Sequence, residues 1–212
     1  MRPAKWSGRL LRPAQRRFQK LRGVVSGIGR RGLSSENERE LAYAVVEAWN
    51  TWREFARAYM LSSTVGLRLL DGSMGMPRAV PASDHEAGRR ECMRSIKAST
   101  RFRQRNEPDW TRPFIILQLA QALDLSNTPA IAAALSLNTR VFDDLPCVRN
   151  FFAHRSRRTF EAAVELANHY SITSPDTPSA FVLSISPGRP QSVIEDWMDD
   201  LSLAVTFLCD PL

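Results

Sequence analysis

The sequence predicts an all-α protein, a bundle of about six helices, and three observations carry that expectation. Ser35 with Glu38, Ser83 with Glu86 and Ser192 with Glu195 each have the spacing of a capping box, in which two orphan donors at a helix start are satisfied reciprocally. Downstream of the boxes, apolar residues recur at steps of three and four, the period of a helix that buries one stripe. Period-two alternation is nearly absent: only Ala180–Ile185 has a β-like composition, and a short strand or extended surface segment is expected there.

Residues 1–34 are set apart by charge. The first 35 residues hold ten of the 29 Lys and Arg and no acid, so the remainder has 19 basic against 22 acidic residues and a net charge of −3, although the whole chain is at +7. A basic amphipathic helix built on Leu10, Leu11, Phe18 and Leu21 is one reading of this stretch, as an RNA- or membrane-binding arm or a targeting segment. The preferred reading is a flexible basic leader of residues 1–34 ahead of a helical domain of 35–212.

The strongest helix follows, from about Glu36 to Leu61, with Leu41, Val45, Ala48, Trp52, Phe55 and Tyr59 on one face. At that spacing its aromatic stripe is read as core or interface rather than as a platform for base stacking. Gly66, Gly72, Gly75, Pro77 and Pro81 mark a long loop, and a helix opens after Ser83 with Cys92, Met93 and Ile96 facing inward. Arg101–Arg112 reads as a polar connector with a basic patch of Arg101, Arg103, Arg105 and Arg112. Helices are then expected over Phe114–Asp124, from Asn127 towards Asn138, after Thr159, and after Ser192.

The densest chemistry lies in Leu145–Arg158, which crowds a histidine, four arginines and an asparagine beside Phe151 and Phe152. Asp143 and Asp144 are possible caps, and Pro146 suits a first turn, so a helix from Leu145 to His154 is expected. At about 100° per residue, Leu145, Val148, Phe151 and Phe152 share an apolar face, while Arg149, Asn150, Ala153 and His154 share the other. Arg155 falls on the apolar side, so the helix should end just after His154 and leave that imidazole at a C-terminus, where positive charge is favoured. A second Arg–His pair, Arg78 and His85, lies in the Pro- and Gly-bearing loop and is set aside.

Arg149-Asn150-Phe151-Phe152-Ala153-His154 resembles the R-x4-H motif, in its Arg-Asn form, of the HEPN superfamily. The resemblance implies a small HEPN-like helical bundle, here with a basic N-terminal extension. It also implies a metal-independent endoribonuclease of the toxin or antiphage type with no cofactor, in which two protomers join their Arg-His pairs in a shared cleft. Chemistry agrees with that assignment. RNA supplies its own nucleophile in the 2′-hydroxyl, so the protein need only move protons and hold the phosphorane. His154 would serve in acid–base transfer, Arg149 would bind the phosphate bidentately, and Asn150 would orient the histidine or the hydroxyl. Arg155, Arg157 and Arg158 would steer RNA to the cleft. His169, fifteen residues after His154, is not expected to be its partner. In the branch paired with nucleotidyltransferase antitoxins, a tyrosine that receives AMP stands two residues after the histidine. This chain has Ser156 there, so that route of neutralisation is not expected, although an antitoxin or regulatory partner is.

Other classes are disfavoured. There is no P-loop, dinucleotide fingerprint, nucleophile elbow or His/Cys cluster with metal-ligand spacing, and no apolar run suited to crossing a bilayer. Three widely spaced cysteines suggest neither a disulfide framework nor a zinc site, which fits a reducing cytoplasm. Two readings compete with the ribonuclease. One is a non-catalytic helical module that binds nucleotide, RNA or a partner protein through its Arg-rich face, and the other is a membrane-associated adaptor that uses the basic leader.

Overall fold

The period-three-and-four stripe of residues 41–59 forms the longest helix, and each of its six inward positions is buried to 4% exposure or less. The computed structural model describes residues 5–97, 107–137 and 139–211. Among them, nine α-helices run α1 (Gly8–Arg31), α2 (Ser35–Val65), α3 (His85–Lys97), α4 (Pro113–Ala122), α5 (Thr128–Leu135), α6 (Val141–His154), α7 (Arg157–Glu165), α8 (Pro178–Leu183) and α9 (Val193–Cys209). A 3-10 turn, Leu166–Tyr170, follows α7. The only sheet among these residues has three two-residue strands, β1 (Lys5–Trp6), β2 (Leu67–Arg68) and β3 (Met74–Gly75), with β1 parallel and β3 antiparallel to β2. The protein is an all-α helical bundle.

Two compact units divide the chain. One comprises Met1–Gln15, Trp52–Asn138 and Leu203–Leu212, and the other Arg16–Thr51 and Thr139–Ser202. In the first, the aromatic stripe of α2 is core, as its spacing requires. Trp52 stacks towards Phe55 and Phe55 towards Tyr59 at centroid distances of 6.3 and 5.9 Å. The Trp52 indole donates to the Thr111 carbonyl at 3.0 Å. Glu107 receives two hydrogen bonds from Arg57, at 2.7 and 2.9 Å, and one from the Trp110 indole at 2.8 Å. Burial pushes its carboxyl up, but the Arg57 and Trp110 bonds outweigh that and hold it below the usual carboxylate range. Trp110, read above as part of a polar connector, is 4% exposed. Arg101, Arg103 and Arg105 of the predicted second basic patch lie outside the described residues, and Arg112 pairs with Asp109 at 3.1 Å.

Gly88 is where α3 meets the end of α2. A Cβ there would lie 1.9 Å from Thr64 Oγ1, whose hydroxyl is already committed to the Leu61 carbonyl at 2.8 Å. Gly88→Ala is expected to destabilise the protein by about 1–3 kcal/mol, although Ala is the better helix former. Denaturant unfolding of the two proteins measures this, and an unchanged or higher midpoint would show that the contact is not made.

The second unit contradicts the flexible leader. Residues 8–31 form a 24-residue helix, and its portion in this unit buries Phe18, Leu21, Val25 and Ile28 to 5% exposure or less. Charge misled the reading because the cations share one face: Arg16, Arg17 and Lys20 are exposed while the apolar residues at steps of three and four turn inward. Polar contacts fix the same segment. Arg22 donates to Asp199 at 2.5 Å and to Gln191 at 2.9 Å, and the Ser26 hydroxyl to Glu195 at 2.5 Å. The helix closes at Gly32, whose φ of +79° is the left-handed conformation that glycine adopts without strain, and Asn37 Nδ2 donates to its carbonyl at 2.6 Å.

The capping signals mark helix starts, with the cap displaced by one residue in two of three cases. Ser34 rather than Ser35 caps α2, accepting the Asn37 N–H at 3.2 Å. Asp84 rather than Ser83 caps α3, accepting the Ala87 N–H at 2.9 Å. At α9, Glu195 reaches back to the Ser192 N–H at 3.1 Å, as the box predicts. The expected strand at Ala180–Ile185 is instead α8. Thr177 caps it through the Ala180 N–H at 3.0 Å and Pro178 occupies its first turn, a start signal that overrides the β-propensity of Phe181 and Val182. Only Ile185 keeps a β-bridge, to Ser192.

Candidate functional site

The motif helix α6 begins four residues before the predicted Leu145, because Val141–Asp144 are already helical. Asp143 and Asp144 therefore lie in its first turn, where their charge suits the dipole, rather than capping it. Pro146 falls in the second turn and gives up one intrahelical bond. Asp144, 2% exposed, is the anchor of this end. It accepts Arg140 Nε at 2.9 Å, Arg140 Nη2 at 3.3 Å and the Tyr170 hydroxyl at 2.8 Å, and the Trp197 indole donates to that same hydroxyl at 2.8 Å. Burial, with the neighbouring Asp144 carboxylate adding to it, raises the Tyr170 phenol well above its ordinary value, so it remains a donor.

Removing that hydroxyl leaves two buried partners short of a hydrogen bond each. Tyr170→Phe is expected to lower stability by about 1–3 kcal/mol, read from urea unfolding. A loss that persists undiminished when Asp144 is also replaced would place the effect elsewhere than in this network.

Sequence reasoning took the acids for caps and missed the Arg140–Asp144–Tyr170 anchor. The i, i+4 spacing of Arg140 and Asp144 was a visible clue, whereas Tyr170 and Trp197 arrive only through the fold. His169 accepts from Arg140 Nη2 through Nδ1 at 2.8 Å, so its ring proton belongs on Nε2. That engages His169 with the anchor and not with His154.

At the other end, the predicted faces are found. Leu145, Val148, Phe151 and Phe152 are 8% exposed or less, with Phe151 edge-on to Phe152 and Phe160 at 5.2 and 5.9 Å between centroids. Asn150, Ala153 and His154 are exposed and Arg149 is half-buried. His154 is the last helical residue. Arg155 follows with φ 40° and ψ 44°, and its N–H closes the helix on the Phe151 carbonyl at 2.7 Å. Such a left-handed closing position usually carries Gly, so a long cationic side chain is held there against backbone preference.

The four arginines of this stretch are not equivalent. Arg157 and Arg158 open α7 behind Ser156, whose hydroxyl and N–H make a reciprocal capping box with Thr159. Arg157 pairs with Glu161 at 2.7 Å, and Arg155 lies 3.9 Å from Glu38. Arg158 is exposed and has no ion pair among the described residues. Arg149 likewise has no carboxylate partner among them. Its Nη1 donates to Asn150 Oδ1 at 3.3 Å, and its Nε is buried without a hydrogen-bond partner. No hydrogen bond joins Arg149 to His154. The two α-carbons are separated by about 7.5 Å along the axis and about 140° around it. Within one chain they thus flank Ala153 rather than touch.

The arrangement offers an unneutralised guanidinium fork, an exposed imidazole and an amide on one helix end, with further cations on the turn beyond it. Such a set can hold a phosphodiester and exchange protons with it. Among the described residues no group of three or more His, Cys, Asp or Glu is placed to hold a metal ion, and no helix is long and apolar enough to cross a membrane. Comparison of the chain with protein-family models, with curated proteins and with solved structures found no match.

Proposed function

We propose that this chain is a metal-independent endoribonuclease of HEPN type, acting as a toxin or antiphage effector in the cytoplasm. The observation that carries the reading is Arg149. A guanidinium with a buried, unpartnered Nε and no carboxylate partner among the described residues is poised for an anion, and it stands one residue before Asn150 and five before His154. In the reaction the substrate 2′-oxygen bonds to phosphorus and the 5′-oxygen leaves. A base takes the 2′-hydroxyl proton, and an acid protonates the departing oxygen. Arg149 binds the non-bridging oxygens as their charge grows, His154 carries one of the proton transfers, and Asn150 orients it or the attacking hydroxyl.

One histidine per chain covers one proton transfer, so the reading includes a second protomer whose His154 supplies the other across a shared cleft. Arg155, Arg157 and Arg158 then guide RNA towards that cleft. Cleavage of a mixed RNA and of its all-deoxy counterpart in excess EDTA tests this. The expected result is scission of RNA alone, with 2′,3′-cyclic phosphate and 5′-hydroxyl ends. Absence of cleavage across diverse RNAs, together with retained RNA binding, would favour a non-catalytic module instead. The separation of Arg149 from His154 within one chain is the observation that keeps that second reading in view.

A further inference from the structure

A cavity of about 550 Å³ opens in the unit that contains α5, and every residue lining it belongs to that unit. Its walls are apolar, built from Leu69, Met74, Ala134, Leu137 and Phe207, and no charged side chain lines it among the described residues. Three polar side chains reach it. Ser73 donates its hydroxyl to Asp71 Oδ1 at 2.7 Å, and Ser126 both donates to the Met74 carbonyl at 2.6 Å and accepts the Met76 N–H at 3.1 Å. Asn127 differs. It is 5% exposed, and its Oδ1 has no hydrogen-bond partner among the described residues.

The position makes that unusual. Asn127 precedes the first residue of α5, where an asparagine oxygen ordinarily accepts an N–H of its own helix. Here no such bond is made. The side chain is turned inward instead, with Nδ2 donating to the Tyr59 hydroxyl at 2.9 Å and to Ser63 Oγ at 3.4 Å. Gly75 makes room for that pose, because a Cβ on residue 75 would come within 2.6 Å of Asn127 Nδ2 and 3.0 Å of Oδ1. The amide is therefore held through Nδ2, and its Oδ1 is left buried and unpartnered in a residue that lines the cavity, where an unsatisfied carbonyl oxygen is costly.

We infer that this cavity is a binding site for a neutral, largely apolar small molecule bearing one hydrogen-bond donor, which it gives to Asn127 Oδ1. The volume falls in the range of small-molecule sites, and the uncharged walls select against ionised ligands. The acceptor rejects isosteres that lack the donor, because they would bury the oxygen unpaired. The site is independent of α6, so it stands or falls apart from the ribonuclease reading.

Indole and indene, which share a shape and differ in the N–H, are the probes. Titration calorimetry on the full chain is expected to give saturable binding of indole at one site, about tenfold or more tighter than indene. Ala130→Phe, which fills the cavity from α5, should abolish binding of both while leaving the thermal midpoint in place. Asn127→Leu should erase the preference for indole. If Asn127→Leu fails to fold, the indole-to-indene ratio and the Ala130→Phe variant decide alone. Equal affinity for the two probes, no saturable binding of either, or binding that survives Ala130→Phe overturns the inference.

Discussion

Phe18→Ala is expected to destabilise the protein by about 3–5 kcal/mol, the range for truncating a buried phenylalanine. Phe18 is 1% exposed and sits mid-stripe on α1 between Ala14 and Leu21, so no neighbouring chain end can relax into the space it leaves. Deleting residues 8–31 goes further, because Leu21, Val25 and Ile28 leave with it and Asp199, Gln191 and Glu195 lose their partners on that helix. Urea unfolding of wild type, Phe18→Ala and an Arg16→Gln control separates the core from the cationic face. The control should stay within about 0.5 kcal/mol of wild type, as for other surface changes. A Phe18→Ala midpoint equal to that of wild type would restore the flexible leader.

His154→Ala is expected to reduce RNA cleavage by about 10²–10⁴-fold, the usual contribution of a positioned proton-transfer group. Its imidazole is exposed at the end of α6, so its loss should leave unfolding unchanged within about 0.5 kcal/mol. Arg149→Lys is the sharper companion, since lysine keeps the charge and loses the planar fork. It should retain RNA binding but lose about 10²–10³-fold in turnover, as when a preorganised donor to the transition state is removed. Mixing His154→Ala with Arg149→Ala protein tests the shared cleft: partial recovery is expected if protomers complement one another. Full activity in both single variants would remove α6 from the chemistry.

Periodicity was the most informative local signal. It marked α2 through six buried positions, the apolar face of α6, and the end of that helix at His154, since each follows from which residues cannot face water. Capping chemistry found helix starts to within one residue at α2 and α3, but it took Asp143 and Asp144 for caps of a helix that already starts at Val141, and Thr159 for the cap of α7 where Ser156 caps it and Thr159 completes the box. The leader was misread because net charge is blind to which face a charge occupies, although the apolar steps through Ala14, Phe18, Leu21, Val25 and Ile28 were there to be read. Ala180–Ile185 was misread because β-propensity reports side-chain shape, whereas Thr177 and Pro178 set the backbone entering the segment.

The candidate site divides in the same manner. Sequence alone determined that Arg149, Asn150 and His154 share the polar side of one helix, because 100° per residue is fixed by backbone hydrogen bonding. It also determined that the helix would end at Arg155. Tertiary structure alone decided that Arg149 has no carboxylate partner among the described residues, that Tyr170, itself held by Trp197, anchors Asp144, and that Asn127 turns away from its own helix towards Tyr59. These depend on which residues distant in the chain are brought within hydrogen-bond reach. Local spacing carries no record of such neighbours, since packing of the apolar faces sets them.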